Sequence, residues 1–185
     1  MRITGGKIKG RRLSSFKGTG IRPTSQKIRE AIFNIIGNEL SGLSVLDLFA
    51  GTGIMGIEAL SRGASFALFI DYSPKSMRLI RENLRICGLS DRAMIIRKDL
   101  RRGLPKIPLE REGFNLIFID PPYEKGLISP LLERLAMKRP FKIPCDIVIE
   151  GKKTESISPL IPNFSISAVR IYGDTKISIL SYGEG

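Results

Sequence analysis

The stretch Ser44-Val45-Leu46-Asp47-Leu48-Phe49-Ala50-Gly51-Thr52-Gly53-Ile54-Met55-Gly56 decides the fold. Ser44–Phe49 is an apolar run interrupted only by Asp47, the pattern of a strand buried on both faces. The glycines then lead into a helix over about Ile54–Arg62. Downstream the alternation repeats. Phe66–Ile70 reads as a strand closed by Asp71, Pro74–Cys87 as a helix with proline near its first turn, and Ala93–Arg97 and Phe114–Ile119 as two further strands. Gly126–Lys138 reads as a helix and Asp146–Ile149 as a fifth strand. Ser165–Ile171 and Lys176–Tyr182 flank Gly173-Asp174, the signature of an antiparallel hairpin. The pattern predicts an α/β, Rossmann-like fold, a mostly parallel sheet covered on both faces with an antiparallel hairpin at its C-terminal end.

Upstream, Met1–Leu13 reads as two short extended pieces around Gly5-Gly6, a small hairpin from which basic residues project. A helix then starts at a cap on Thr24 or Ser25, with Ile28, Ala31, Ile32, Ile35 and Ile36 as one buried stripe. The 185 residues suit one core. No internal repeat interrupts them, and no signal-peptide pattern or run of apolar residues long enough to span a membrane is present, so a cytoplasmic protein is expected.

Composition narrows the chemistry. The chain has no His, which excludes a Ser-His-Asp triad, an HExxH zinc site and an imidazole base. Its two cysteines, Cys87 and Cys145, cannot build a disulfide framework, have no activating partner, and are read as packing residues in a reducing compartment. The net charge is +12, yet residues 1–29 hold nine bases and no acid, so most of the excess lies at the N-terminus. Arg97, Lys98, Arg101, Arg102 and Lys106 form a second basic cluster.

The glycine loop lies at a strand-to-helix turn, where open α/β sheets bind ligands. Asp71 stands 20 residues beyond Gly51, placed to accept ribose hydroxyls. Gly51-x-Gly53-x-x-Gly56 with that acid also satisfies a dinucleotide fingerprint, so the loop alone leaves NAD open. Asp47 tips the balance, because a carboxylate there repels a pyrophosphate but favours the sulfonium and ammonium of S-adenosylmethionine. Asp99, after the third strand, is placed to meet an adenine amino group.

Phe114–Ile119 delivers Asp120-Pro121-Pro122-Tyr123 to the sheet's C-terminal edge. Pro122 lacks an N–H and disfavours helix at Pro121, so the carboxylate and a carbonyl can both face the cleft as acceptors. Two adjacent acceptors suit a planar amine with two N–H donors, and Tyr123 can stack on the ring that bears it. Methyl transfer to that amine requires in-line geometry and no metal. Guanine shows N1–H and N2–H side by side, a match for a carboxylate, whereas adenine offers one donor and one acceptor there.

With these motifs in place the chain resembles the RsmD-type family of bacterial small-subunit ribosomal RNA guanine-N2 methyltransferases. The matches are Gly5-Gly6-Lys7 with Gly10-Arg11, Arg22-Pro23-Thr24, Arg29-Glu30 with Phe33-Asn34, Asp47 to Gly53, Glu58 to Gly63 and Asp120 to Tyr123. The resemblance implies a seven-stranded methyltransferase fold, S-adenosylmethionine as donor with S-adenosylhomocysteine as product, and guanine N2 in 16S ribosomal RNA as acceptor, met on small-subunit particles. Expected at the cofactor are Asp47, Phe49, Ala50, Gly51, Gly53, Asp71, Tyr72, Asp99 and Leu100, with Asp71 standing where the family often carries Glu. Expected at the RNA are Arg11, Arg12, Arg22, Thr24 and Arg29, the last reaching phosphate. Residues 1–23 then form a basic RNA-binding arm, and 24–185 the methyltransferase domain of a monomer. Deleting residues 1–20 is expected to weaken RNA binding and spare cofactor affinity. The readings that compete are an amino methyltransferase for adenine N6 or protein glutamine, an NAD-dependent oxidoreductase, and a non-catalytic RNA-binding module.

Overall fold

A computed structural model describes residues 1–16, 25–107, 113–122, 126–157 and 162–182. Seven strands form one sheet: β1 (Ser44–Leu48), β2 (Phe66–Asp71), β3 (Ala93–Arg97), β4 (Phe114–Ile119), β5 (Phe141–Lys152), β6 (Phe164–Tyr172) and β7 (Thr175–Tyr182). Their order is β3-β2-β1-β4-β5-β7-β6. Pairings among β1 to β5 are parallel, and β7 runs antiparallel to both β5 and β6. This is the expected mostly parallel sheet with its C-terminal hairpin. The order reverses at β1, between β2 and β4, and that switch point opens the crevice in which such sheets bind ligands.

Among the described residues, four α-helices cover the sheet: α1 (Gln26–Ile36), α2 (Ile54–Ser61), α3 (Pro74–Cys87) and α4 (Ile128–Lys138). Ser25 caps α1 by accepting the Ile28 N–H, while Ser73 caps α3 ahead of Pro74, and Gly88 ends α3 in a left-handed turn. The side chains of α1, α2 and α3 pack with the N-terminal segment on one face, and those of α4 on the other. Cys87 and Cys145 are both buried, Cys145 with its thiol pushed up to about 12 by burial.

Three details depart from the sequence reading. The buried face of α1 is Ile28, Arg29, Ile32 and Phe33, and Ile35 is 37% exposed. The helix turns this way because Phe33 packs edge-on against Phe118, with the Arg62 guanidinium 4.3 Å from its ring. Strand β5 reaches far beyond Asp146–Ile149, since β7 pairs with it from Cys145 to Lys152 and Phe141 packs against Phe164 and Tyr182. Helix α4 starts at Ile128, two residues later than expected.

The N-terminal residues do form a hairpin, closed by an antiparallel bridge between Arg2 and Arg12, with Ile3 N–H donating to Arg11 O at 3.0 Å. It is no detachable tail. Ile3 and Leu13 are 2% and 6% exposed and belong to the core shared with α1, α2 and α3. Lys7 N–H donates to Ser61 O at 2.7 Å, and Ser61 Oγ donates to Gly5 O at 2.6 Å. A side chain at Gly6 would place its Cβ 2.0 Å from Ser61 O, so only glycine lets the hairpin lie on α2 this closely.

Candidate active site

The glycine loop leaves β1 through residues of positive φ at every second position, Phe49 at 61°, Gly51 at 55° and Gly53 at 77°. For a bulky non-glycine residue such as Phe49 this conformation is costly and marks functional loops. The ring of Phe49 packs against the α4-side core, and Gly53 N–H closes a turn onto Ala50 O at 2.7 Å. Gly56 serves packing, because a Cβ there would lie 2.3 Å from Phe69 Cε1.

Two acids hold this loop. Asp71 Oδ2 accepts the Gly51 N–H and Oδ1 the Ser73 N–H, each at 2.8 Å. Asp47 is 3% exposed and its Oδ2 accepts the Gly56 N–H at 3.0 Å, at the N-terminal end of α2. Burial pushes the Asp47 carboxyl up to about 8, against the pull of the Gly56 N–H, with the nearby charge of Asp71 adding to the rise. Burial thus favours the protonated form of Asp47, and a cation placed beside it would favour the ionised form.

Among the described residues, and its two chain neighbours aside, a Cβ built on Gly51 meets no atom nearer than Phe49 O at 3.8 Å, so these residues leave the space over this glycine open. A cradle of that kind, beside buried acids and at the sheet's switch point, fits an adenosyl cofactor. Tyr72 stands beside it, 54% exposed. Asp99 is engaged by Arg101, whose Nε and Nη2 donate to its two oxygens at 2.9 and 3.0 Å, and that contact holds the carboxyl below its ordinary range. The Arg101 guanidinium also lies 5.4 Å from the Tyr72 ring. Leu100 is buried under this edge in the α4-side core.

Asp120 follows β4 where that strand pairs with β1: Leu48 opposes Ile119, and Asp120 N–H donates to Leu48 O at 3.5 Å. The acid is half-buried, Pro121 is buried and Pro122 exposed, so the element adjoins the glycine loop. Tyr123, Arg22 and Thr24 lie outside the described residues. Arg11 and Arg12 are exposed.

Arg29 does not reach outward. It is 2% exposed, its Nε lies 3.6 Å from Glu58 Oε1, and its Nη2 donates to Arg2 O at 2.9 Å. A phosphate role for Arg29 is thereby corrected: it belongs to a buried cluster of Arg29, Glu58 and Arg62. Glu58 is fully buried, Arg62 Nε lies 3.5 Å from its Oε2, and Thr4 N–H donates to its Oε1 at 2.6 Å. Sequence reasoning gave Glu58 no such role, although the one charged residue of a wholly buried helix had to find cations. Asn83 was also missed. It is fully buried, its Oδ1 accepts Ser14 N–H at 2.8 Å, and its Nδ2 donates to Ser14 O at 3.1 Å and Thr52 O at 3.0 Å. One amide thus joins the N-terminal segment to the glycine loop. Deleting residues 1–20 therefore uncovers core and loosens that loop, so it cannot isolate an effect on RNA.

The strand order and the acid-held glycine loop define an S-adenosylmethionine-dependent methyltransferase. The chain belongs to the family described as "Conserved hypothetical protein 95", whose model matches residues 1–181. It is 35% identical over 179 residues to "Putative rRNA methyltransferase YlbH" of Bacillus subtilis, covering 97% of each chain. It is 34% identical over 155 residues to "Ribosomal RNA small subunit methyltransferase D" of Buchnera aphidicola, covering 84% of this chain and 80% of that one. Among solved structures it is similar to "Putative methyltransferase yhhF from Escherichia coli", with a TM-score of 0.83, 26% identity, and coverage of 98% and 97%.

Proposed function

We propose that the protein methylates the exocyclic N2 amine of a guanine in small-subunit ribosomal RNA, in the cytoplasm and as a monomer. The observation that carries this reading is the position of Asp120-Pro121-Pro122, one residue past the β4–β1 pairing and beside the glycine loop. The names of the relatives support ribosomal RNA as the substrate class. When bound, S-adenosylmethionine supplies a methyl carbon already activated by its sulfonium. The protein's task is then to place the amine in line with it.

Asp120 and the Pro121 carbonyl accept the N–H donors of the amine and turn its lone pair toward the methyl. Asp120, or water, takes the proton released on transfer. Tyr123 stacks on the base, and Arg22 and Thr24 roof it. Asp71 presents its carboxylate to the ribose while keeping Gly51 in place. Asp99 meets the adenine amine once Arg101, whose side chain is half-exposed, turns away from it. Arg11 and Arg12 hold backbone phosphate, a salt-sensitive contribution that ignores sequence.

The test is Asp120→Ala, assayed with labelled S-adenosylmethionine and small-subunit particles lacking the mark. Retained S-adenosylhomocysteine affinity with methyl transfer lost is the expected result. Turnover near that of the wild type contradicts it.

A further inference from the structure

The outward face of α3 has no part in the reading above, and its chemistry is distinctive. Lys75, Arg78, Arg81 and Arg85 are all exposed on it. Lys75, Arg78 and Arg85 recur at helical spacing with Arg81 beside them, a row roughly 15 Å long at ~1.5 Å per residue. Glu82 is the single acid of the helix, and its Oε1 is taken by Ser14 Oγ at 2.5 Å. Among the described residues none of the four bases forms an ion pair.

The N-terminal hairpin is seated on the same helix. Ser14 is held by Asn83, and Arg11 lies close enough to Cys87 to oppose the rise that burial gives its thiol. The bases of the hairpin therefore continue the row at the C-terminal end of α3. Arg2 and Arg12, both exposed, face each other across the hairpin's bridge. Like charges directly opposite are repulsive, and a polyanion laid over them removes that repulsion.

We infer that α3 and the N-terminal hairpin form one continuous basic track for the sugar–phosphate backbone of RNA, running from the cofactor edge of the sheet to its opposite edge. The inference rests on the RNA methyltransferase reading and adds to it a path and four residues, Lys75, Arg78, Arg81 and Arg85. The bases position the strand and read no sequence. No large apolar side chain of α3 is exposed, so the face lacks the apolar centre of a protein–protein interface.

The test is the double substitution Arg78→Glu with Arg85→Glu, at two exposed positions far from the glycine loop in sequence. Fluorescence anisotropy across a salt series measures binding to deproteinised small-subunit ribosomal RNA and to an oligouridylate. The track predicts at least a tenfold loss of affinity for both RNAs, with a log–log salt slope shallower by about 0.7 per lost contact on the single strand. S-adenosylhomocysteine affinity stays unchanged, and Lys138→Glu with Arg170→Glu, elsewhere on the surface, changes neither RNA curve. Wild-type affinity and slope in the Arg78/Arg85 variant overturn the track while leaving the methyltransferase reading intact. A wild-type protein that neither binds nor methylates RNA overturns both.

Discussion

Asp71 Oδ2 accepts the Gly51 N–H at 2.8 Å, so the acid that closes β2 holds the glycine loop leaving β1. Its other oxygen accepts the Ser73 N–H, which ties the start of α3 to the same carboxylate. Asp71→Asn puts an amide N–H₂ against one of these donors. Hydrogen bonds to charged groups contribute about 1.5–3 kcal/mol, so the variant is expected to bind S-adenosylhomocysteine at least about tenfold more weakly. Calorimetric titration checks this, and an unchanged Kd refutes the clamp.

Asp47 makes stability depend on pH. Its folded-state pKa of about 8 lies above the ordinary value of 3.8, so the unfolded chain loses this proton first. The associated stability is fully present in acid and is lost as pH rises from about 4 through about 8. Asp47→Asn keeps an acceptor for Gly56 N–H and cannot ionise. Thermal melts across pH should show the variant escaping the wild-type decline, its stability relative to the wild type rising between about pH 4 and about pH 8 and staying level above. Parallel melting curves for the two proteins would contradict the assignment.

Glu58 lies between two buried guanidinium groups and pairs with both. Removing one partner of a buried ion pair costs about 3–5 kcal/mol, so Glu58→Gln should lower urea stability by that order. Replacing the cluster together, Arg29→Met with Glu58→Leu and Arg62→Met, should recover most of the loss, because no buried charge then remains. Equal stability of Glu58→Gln and the wild type would show the cluster to be energetically idle.

Gly56 lies against the Phe69 ring. Gly56→Ala should destabilise by about 1–3 kcal/mol through overpacking, and Phe69→Leu in the same chain should relieve part of it. A double-mutant cycle on thermal melts measures the coupling. Additive effects would mean that the ring moves aside freely.

What the sequence revealed and what it hid divide along contact range. Strand ends and the glycine loop were legible because each apolar run carries its acid, Asp47, Asp71 or Asp120, within it or directly after it, and the glycines follow the first run at once. The C-terminal hairpin was legible from Gly173-Asp174 between two β-rich runs. Arg29 and Glu58 gave no local sign of their pairing, since they meet only when α1 and α2 pack. Asn83 finds Ser14 across 69 positions, which no periodicity announces. Strand β5 was underestimated because Pro144 interrupts its start, while its partner β7 lies far along the chain. The rotation of α1 followed from Phe33 and Arg29 outcompeting Ile35 for the interior.

The central claim is that a guanine N2 amine in small-subunit ribosomal RNA receives the methyl group. Nucleoside analysis by mass spectrometry, on unmodified small-subunit particles incubated with the protein and isotopically labelled S-adenosylmethionine, tests it directly. Label in N2-methylguanosine from small-subunit RNA is the expected result. Label in N6-methyladenosine or in protein glutamine, or none in RNA, would contradict it.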